Sequence, residues 1–259
     1  MILTKSQNLY KGEEAIREES LRRLAAVPDM AAHLEIIEQS LNLIYVLLPS
    51  RNVHDADQRT IGNLGIRMFN ALNASLKLSL SGYYQASGLQ LRDLLETTFL
   101  LDYFSTDPTL VTQWRTIPEK QRKAKFGPAK IRTELDRRDG FIKARRRDAY
   151  DMLCSLAGHA TPEGVVMLVP VPGGTDVHCG PFLENTALHS VLSETAKHAV
   201  TAAGAFRTVV QDETLDQNEA RIVFMEAEAD WFERFFETPD RTGIAKLRET
   251  LASARAGKP

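Results

Sequence analysis

Cysteine is nearly missing from this chain. Cys154 and Cys179 are the only two in 259 residues, too few for a disulfide framework or a four-cysteine zinc module. Eleven prolines and fifteen glycines are also few, which argues against a turn-rich all-β fold. No apolar run reaches the roughly 18 residues needed to span a bilayer, and the polar start Met1 to Gly12 lacks the hydrophobic centre of a secretory signal. A cytoplasmic, reducing location with no membrane partner is the expectation. Nucleotide signatures are missing as well, both the glycine-rich loop ending in Lys-Ser/Thr and Gly-x-Gly-x-x-Gly after a strand. So are Gly-x-Ser-x-Gly and His-Glu-x-x-His. These absences remove the enzyme classes a single sequence reveals most readily, and neither a cofactor nor an obligatory metal is expected.

A large excess of one charge sign is lacking too. The net charge is −2, with 43% hydrophobic and 25% charged residues, ordinary for a globular protein. Locally the balance is uneven. Residues 115–147 carry thirteen Lys or Arg against four acids, and residues 208–240 carry ten acids against two arginines. A basic block on its own favours nucleic acid. With an acidic block of matching size in the chain, mutual neutralisation, within one chain or between two, is the expected use of both.

What the chain does have is helical periodicity. The stretch Gly82 to Tyr103 is its most apolar long segment, with leucines around nearly the whole circumference of a helix and Phe99 among them. Such a helix belongs at the centre of a bundle. Arg92 and Glu96 stand one turn apart on it, beside Phe99 and Leu89, so each needs a partner if the helix is enclosed. They fit either a polar pocket floor, with Arg92 holding an anion, or an internal ion pair that fixes packing.

Helix spacing also covers Lys11 to Val27, Met30 to Leu48 with Asp29 as its cap, and Ile61 to Leu80. A polar connection, Ser50 to Asp57, precedes the third of these, and Gly82 marks a break after it. Downstream come a short helix through Trp114, two solvated basic helices at Pro118 to Phe126 and Pro128 to Arg138, and a helix Phe141 to Ala157. Thr161 to Phe182 then holds eight prolines or glycines around Val165-Val166-Met167-Leu168-Val169 and Thr175-Asp176-Val177-His178-Cys179, and predicts a β-hairpin or extended loop. Helices resume at Leu183 to Val210, Leu215 to Phe236 and Thr242 to Ala256, before a polar tail. The expected fold is an all-α multi-helix bundle in one domain, 1–259. Within it, 1–58 form an N-terminal helical hairpin, 59–212 the core, 162–182 an extended excursion and 213–259 acidic C-terminal helices.

A second candidate site lies at Tyr150 to His159. Gly158 is placed to end the helix, with Cys154 one turn behind His159. His159 continues the stripe of Ala149, Met152 and Leu156 and is expected to point inward, either as a general acid/base or as a structural anchor for the excursion. Arg145 falls on the same stripe, about 21 Å away along a straight helix, so the two cannot serve one atom within a chain. Arg145, Arg146 and Arg147 read most simply as a solvated helix end, with nucleic-acid contact as the rival use. Cys154, His159, His178 and Cys179 have zinc-binding chemistry but follow no zinc-module spacing.

Two segments carry a resemblance. Gly82-Tyr-Tyr-Gln-Ala with Leu91-Arg92-Asp-Leu-Leu-Glu96, followed by Tyr150 to His159 with Cys179-Gly-Pro-Phe182, resembles an uncharacterised group of bacterial helical proteins of unknown function, distantly HEPN-like, over residues 61–210. The resemblance implies a helical fold, with Arg92, Glu96, Tyr150 and His159 matching the group's pattern. HEPN proteins include dimeric RNases of toxin–antitoxin and phage-defence systems, whose Arg and His lie a few residues apart on one helix. Here Met152, Leu153 and Cys154 occupy the places of that arginine, so the nuclease motif does not carry over. The leading expectation is a homodimeric binding or regulatory module, with a polar pocket of Arg92, Glu96, Tyr150 and His159. The alternative is a metal-independent RNase with His159 as acid/base and RNA as its partner.

Overall fold

The computed structural model describes residues 6–49, 54–210 and 214–256, and these hold eleven α-helices and no β-strand. In chain order they are α1 (Ser6–Ala26), α2 (Pro28–Leu47), α3 (Ala56–Leu80), α4 (Tyr84–Phe104), α5 (Thr109–Thr116) and α6 (Glu119–Phe126). Then follow α7 (Pro128–Arg138), α8 (Arg145–Leu153), α9 (Asn185–Val209), α10 (Leu215–Phe235) and α11 (Thr242–Ala256). The first part of the Ser50 to Asp57 connection and the tail beyond Ala256 lie outside the described residues. No helix among the described residues is long and apolar enough to cross a membrane.

Helix ends follow local chemistry. Pro28 takes the first position of α2, where a missing N–H removes no hydrogen bond. Asp29, expected as the cap, sits instead within the first turn, and extended Val27 occupies the cap position. The Asp55 carboxylate accepts from the backbone N–H groups of Asp57 and Gln58 at 2.8 and 2.7 Å and starts α3. Thr214 and Gln217 form a reciprocal capping box on α10. Between α3 and α4, Gly82 has φ +82°, and a Cβ there would lie 2.4 Å from the Phe182 carbonyl oxygen. Conformation and space both demand glycine. The Phe182 N–H donates to the Gly82 carbonyl at 3.2 Å, tying the end of the excursion to this turn.

Helix α4 is the hub. It packs on α3 and α9, which also touch each other, and separately on α7, α8 and the turn after α8. Small side chains set the close crossings. Ser75 and Ser79 on α3 lie 2.8 and 2.7 Å from the Ser87 hydroxyl on α4, all buried. Fully buried Ala196, Ala199, Ala202 and Ala203 line α9. One apolar core then runs from Leu24 through Leu94 and Phe206 to Trp231, while Ile222, Ala229, Ile244 and Leu251 form a small separate cluster under α11. Each fully buried Leu or Phe contributes about 1.5–3 kcal/mol to this core. Leu89 departs from the expected all-round burial of the central helix, being 41% exposed.

Three expectations need correction. The β-hairpin near 162–182 does not form: Glu163–Leu168 is a 3₁₀ helix and the rest is irregular. Pro170 and Pro172 remove two N–H donors from the would-be strand and turn, and His178 N–H to Leu168 O, 2.8 Å, bridges the segment. The helix Phe141 to Ala157 begins only at Arg145 and ends as a π turn, Cys154–Gly158. Nor do the two charge blocks neutralise each other within the chain among the described residues. Within 115–147, Arg115, Arg138 and Arg146 pair with Asp57, Asp102, Asp136 and Asp139. The acids of α10 pair with Arg207, Arg241, Arg248 and Arg255. The topology explains this, since α10 lies against α2 and α11 rather than α6 to α8.

Candidate functional site

Three segments each supply two side chains four residues apart, the spacing that puts them on one helical face. Arg92 and Glu96 come from α4, and Arg132 and Asp136 from α7. Tyr150 comes from α8, and Cys154 opens the π turn that follows it. Arg92 Nη2 donates to Glu96 Oε1 at 2.9 Å and to the Tyr150 hydroxyl at 2.6 Å. Its Nε donates to Cys154 Sγ at 3.1 Å. The Tyr150 hydroxyl in turn donates to Glu96 Oε1 at 2.7 Å. The chain of donors thus runs from guanidinium through phenol to carboxylate, each link polarising the next.

Electrostatics agree with that direction. The Tyr150 phenol is pushed up by burial first and then by its bond to the Glu96 carboxylate. The hydrogen bond to Tyr150 raises Arg92 further above its already high range. Both groups therefore keep their protons at neutral pH. The π turn presses on the arginine from behind, since a Cβ at Gly158 would meet Arg92 Cδ at 3.0 Å. Gly88 on α4 gives the matching clearance, where a Cβ would meet the Ala157 side chain at 3.0 Å.

Arg132 completes the cluster. It is 8% exposed, and its guanidinium carbon lies 4.0 Å from the Tyr150 ring centroid, on a ring that Arg92 also approaches at 5.2 Å. Its Nε and Nη1 are sealed from solvent without a hydrogen-bond partner among the described residues. Asp136, one turn along α7 and also buried, is engaged by Arg146 at 2.8 Å. Glu96 is thus the carboxylate hydrogen-bonded at a ring flanked by two cations. A buried guanidinium left this way costs several kcal/mol as an order of magnitude. Beside the cluster, a cleft of about 240 Å³ has Glu96, Phe99, Leu100, Trp114, Phe126 and Ile131 on its walls.

Of the other candidates, the three consecutive arginines diverge. Arg145 is exposed, over the Phe141 ring at 5.1 Å, and does not point inward. Arg147 is 64% exposed and has only long contacts of 3.9 Å to Asp148 and Asp151. Arg146 is not solvated: its side chain is 14% exposed and meets Asp136 and Asp139, with Asp102 at 3.7 Å. Arg138 and then Arg146 hold the Asp139 carboxyl down at about 2.

His159 does not point inward either. Its side chain is exposed, while its backbone N–H donates to Cys154 O at 2.9 Å. The inward reading assumed 100° per residue to the end of the helix. The π turn changes that step, and His159 itself is extended, φ −129° and ψ 154°. Met152, on the same expected stripe, is 39% exposed, whereas Leu153 and Cys154 are buried. Arg92, Glu96 and Tyr150 are thus brought together, and His159 makes no side-chain hydrogen bond to them. Among the described residues no group of three or more His, Cys, Asp or Glu is arranged to hold a metal ion. Cys154 is turned toward Arg92, and His178 and Cys179 are exposed in the excursion.

Arg132 is the residue the sequence reading passes over, because α7 looks like a solvated basic helix. A signal is there nonetheless: Ile131 and Leu135 mark an inward face, and Arg132 and Asp136 follow each by one position at the same four-residue spacing. No protein-family model, curated protein or solved structure matches the chain.

Proposed function

We propose that the protein is a binding module for a small oxyanion, a carboxylate or phosphate carrying a compact apolar or planar group. Arg132 is the residue that takes the charge. Arg92, the expected anchor, is already committed to Glu96, Tyr150 and Cys154. The observation that carries the reading is the buried Arg132 guanidinium with two N–H groups lacking an acceptor. Its Nη2 is the nitrogen not sealed from solvent, so an oxyanion meets that atom first. A small outward swing brings Nη1 alongside for a two-point grip. Trp114 and Phe126 in the neighbouring cleft suit a flat or apolar substituent.

Inorganic phosphate, phenyl phosphate and benzoate, titrated separately by calorimetry, test this. Binding of at least one, lost at least tenfold in Arg132→Met but retained in Arg147→Ala, is the expected result. No heat with any of them, or equal binding by Arg132→Met, overturns it. A parallel incubation with single-stranded RNA addresses the nuclease alternative. Cleavage by the wild type that His159→Ala abolishes would replace the binding reading with the RNase one.

A further inference from the structure

A cavity lies under the last helix, away from the tyrosine cluster. It measures about 640 Å³ and is walled by the end of α9, the first half of α10 and the inner face of α11. Val210, Leu215, Ile222, Met225, Leu247 and Leu251 give it an apolar lining. Ion pairs run along one exposed edge of helix α11. Arg241 reaches Asp230 and Glu233 at 2.7 Å, Arg248 reaches Glu226 at 2.7 Å, and Arg255 pairs with Glu219. Its buried apolar residues, Ile244 and Leu251, pack on Ile222 and Ala229 with Leu215 and Met225 beside them. The arginines thus fasten the helix along one edge and leave the space behind it unfilled, within the size range of small-molecule sites.

The polar part of the lining is one-sided. Among the described residues it includes Arg207 and Arg221, the latter donating to Val210 O at 3.4 Å, and no carboxylate. Arg207 makes no hydrogen bond among the described residues; its ion-pair partner, the Glu228 carboxylate, stands 3.9 Å away. Burial raises the Glu228 carboxyl above its ordinary range, while Arg207 pulls it the other way. The Arg207 guanidinium lies 5.8 Å from the Phe224 ring centroid, which helps hold it at this wall. The Thr208 and Thr250 hydroxyls spend their protons on Ala205 O and Lys246 O of their own helices. A cationic donor at one end and aliphatic walls elsewhere fit one class of molecule.

We propose that this cavity binds an anionic amphiphile, with its hydrocarbon chain between α10 and α11 and its carboxylate on Arg207. Methylenes taken from water supply the affinity, and the carboxylate's bonds to Arg207 supply head-group selectivity. The site is separate from Arg132, so Arg132→Met leaves it intact.

Dodecanoate, dodecan-1-ol and dodecyltrimethylammonium, all below their micellar concentrations, are titrated against the full chain by calorimetry and thermal shift. Saturable dodecanoate binding at least tenfold tighter than dodecan-1-ol is expected. Arg207→Met should bring the two to equal affinity. Ala254→Trp fills the mouth from an exposed position on the lining, so the variant folds, and it should abolish binding. Absence of saturable binding overturns the proposal. So does dodecanoate binding that survives Ala254→Trp, or equal binding of the cationic surfactant.

Discussion

Arg132 sits over the ring of Tyr150, its guanidinium carbon 4.0 Å from the ring centroid, and no carboxylate forms an ion pair with it among the described residues. The ring face attracts the cation, yet it supplies no acceptor for the sealed N–H groups. Replacing a buried charge of this kind by an apolar side chain of similar length is often stabilising by about 1–4 kcal/mol. Arg132→Met is therefore expected to melt higher than the wild type in ligand-free buffer, a rise of several degrees by calorimetry. A variant that melts markedly lower would mean that the guanidinium is satisfied in solution.

Tyr150 has two jobs that can be separated. Its hydroxyl joins Arg92 to Glu96, and its ring lies under Arg132. Tyr150→Phe keeps the ring and leaves the direct Arg92–Glu96 bond, so it should cost only about 1–2 kcal/mol. Tyr150→Ala removes both and should cost about 3–5 kcal/mol, as large aromatic truncations do. Urea denaturation of the pair measures the difference. Equal losses would show that the ring stack contributes nothing.

The π turn positions the arginine, and Gly158 is where this can be tested. A methyl group there would press on Arg92 Cδ at 3.0 Å and Nε at 3.4 Å. Gly158→Ala should shift Arg92 off Cys154 Sγ and destabilise the fold by about 1–3 kcal/mol. Loss of the Arg92 N–H donor at Cys154 Sγ should also change the rate at which a small reagent alkylates the Cys154 thiol. Unchanged Cys154 labelling, scored by mass spectrometry separately from exposed Cys179, would argue against this contact.

How much of this was legible beforehand differs from residue to residue. Helix periodicity and end signals such as Pro28 and Gly82 carried through to the fold, because they are local. Arg92 and Glu96 were visible as a pair because a single helix holds both. Arg132 was legible only as a neighbour of the inward Ile131 and Leu135, because its burial depends on α7 folding against α4 and α8. His159 was misplaced because five residues of π turn alter the angular step. The hairpin is absent for a different reason: the run Val165 to Val169 suits a strand, but Pro170 and Pro172 withhold the ladder.

Arg146 shows how misleading a charge run can be. It lies between Asp102, Asp136 and Asp139, and Asp136 is 7% exposed. Arg146→Met leaves Asp136 without that partner, and breaking one side of a buried pair typically costs about 3–5 kcal/mol. Exposed Arg147→Met should cost less than about 0.5 kcal/mol. Denaturation at low and at high salt checks both values, and the Arg146 loss should persist in salt because the pair is shielded from screening. Similar losses at the two positions would return Arg146 to the solvated face.

The last prediction concerns His33, far from the tyrosine cluster, where α2 meets α10. The Trp231 indole N–H donates to His33 Nδ1 at 3.0 Å, so the neutral imidazole carries its proton on Nε2. Phe235 stacks on the ring at 4.3 Å, and His189 lies 5.7 Å away. Burial first, then repulsion from His189, pushes the His33 pKa down to about 4, against a weaker opposing pull from Asp29. The folded state therefore resists a proton that the unfolded chain accepts at about 6.5. The contribution to stability is complete above pH 6.5 and is lost as pH falls from there toward 4, by on the order of 2–3 kcal/mol. Trp231 fluorescence in a Trp114→Phe background reports this interface directly. Urea midpoints should decline across that pH window in the wild type and decline less in His33→Phe, which keeps the stack on Phe235 but cannot be protonated. Parallel pH curves for the two proteins would remove His33 as the cause.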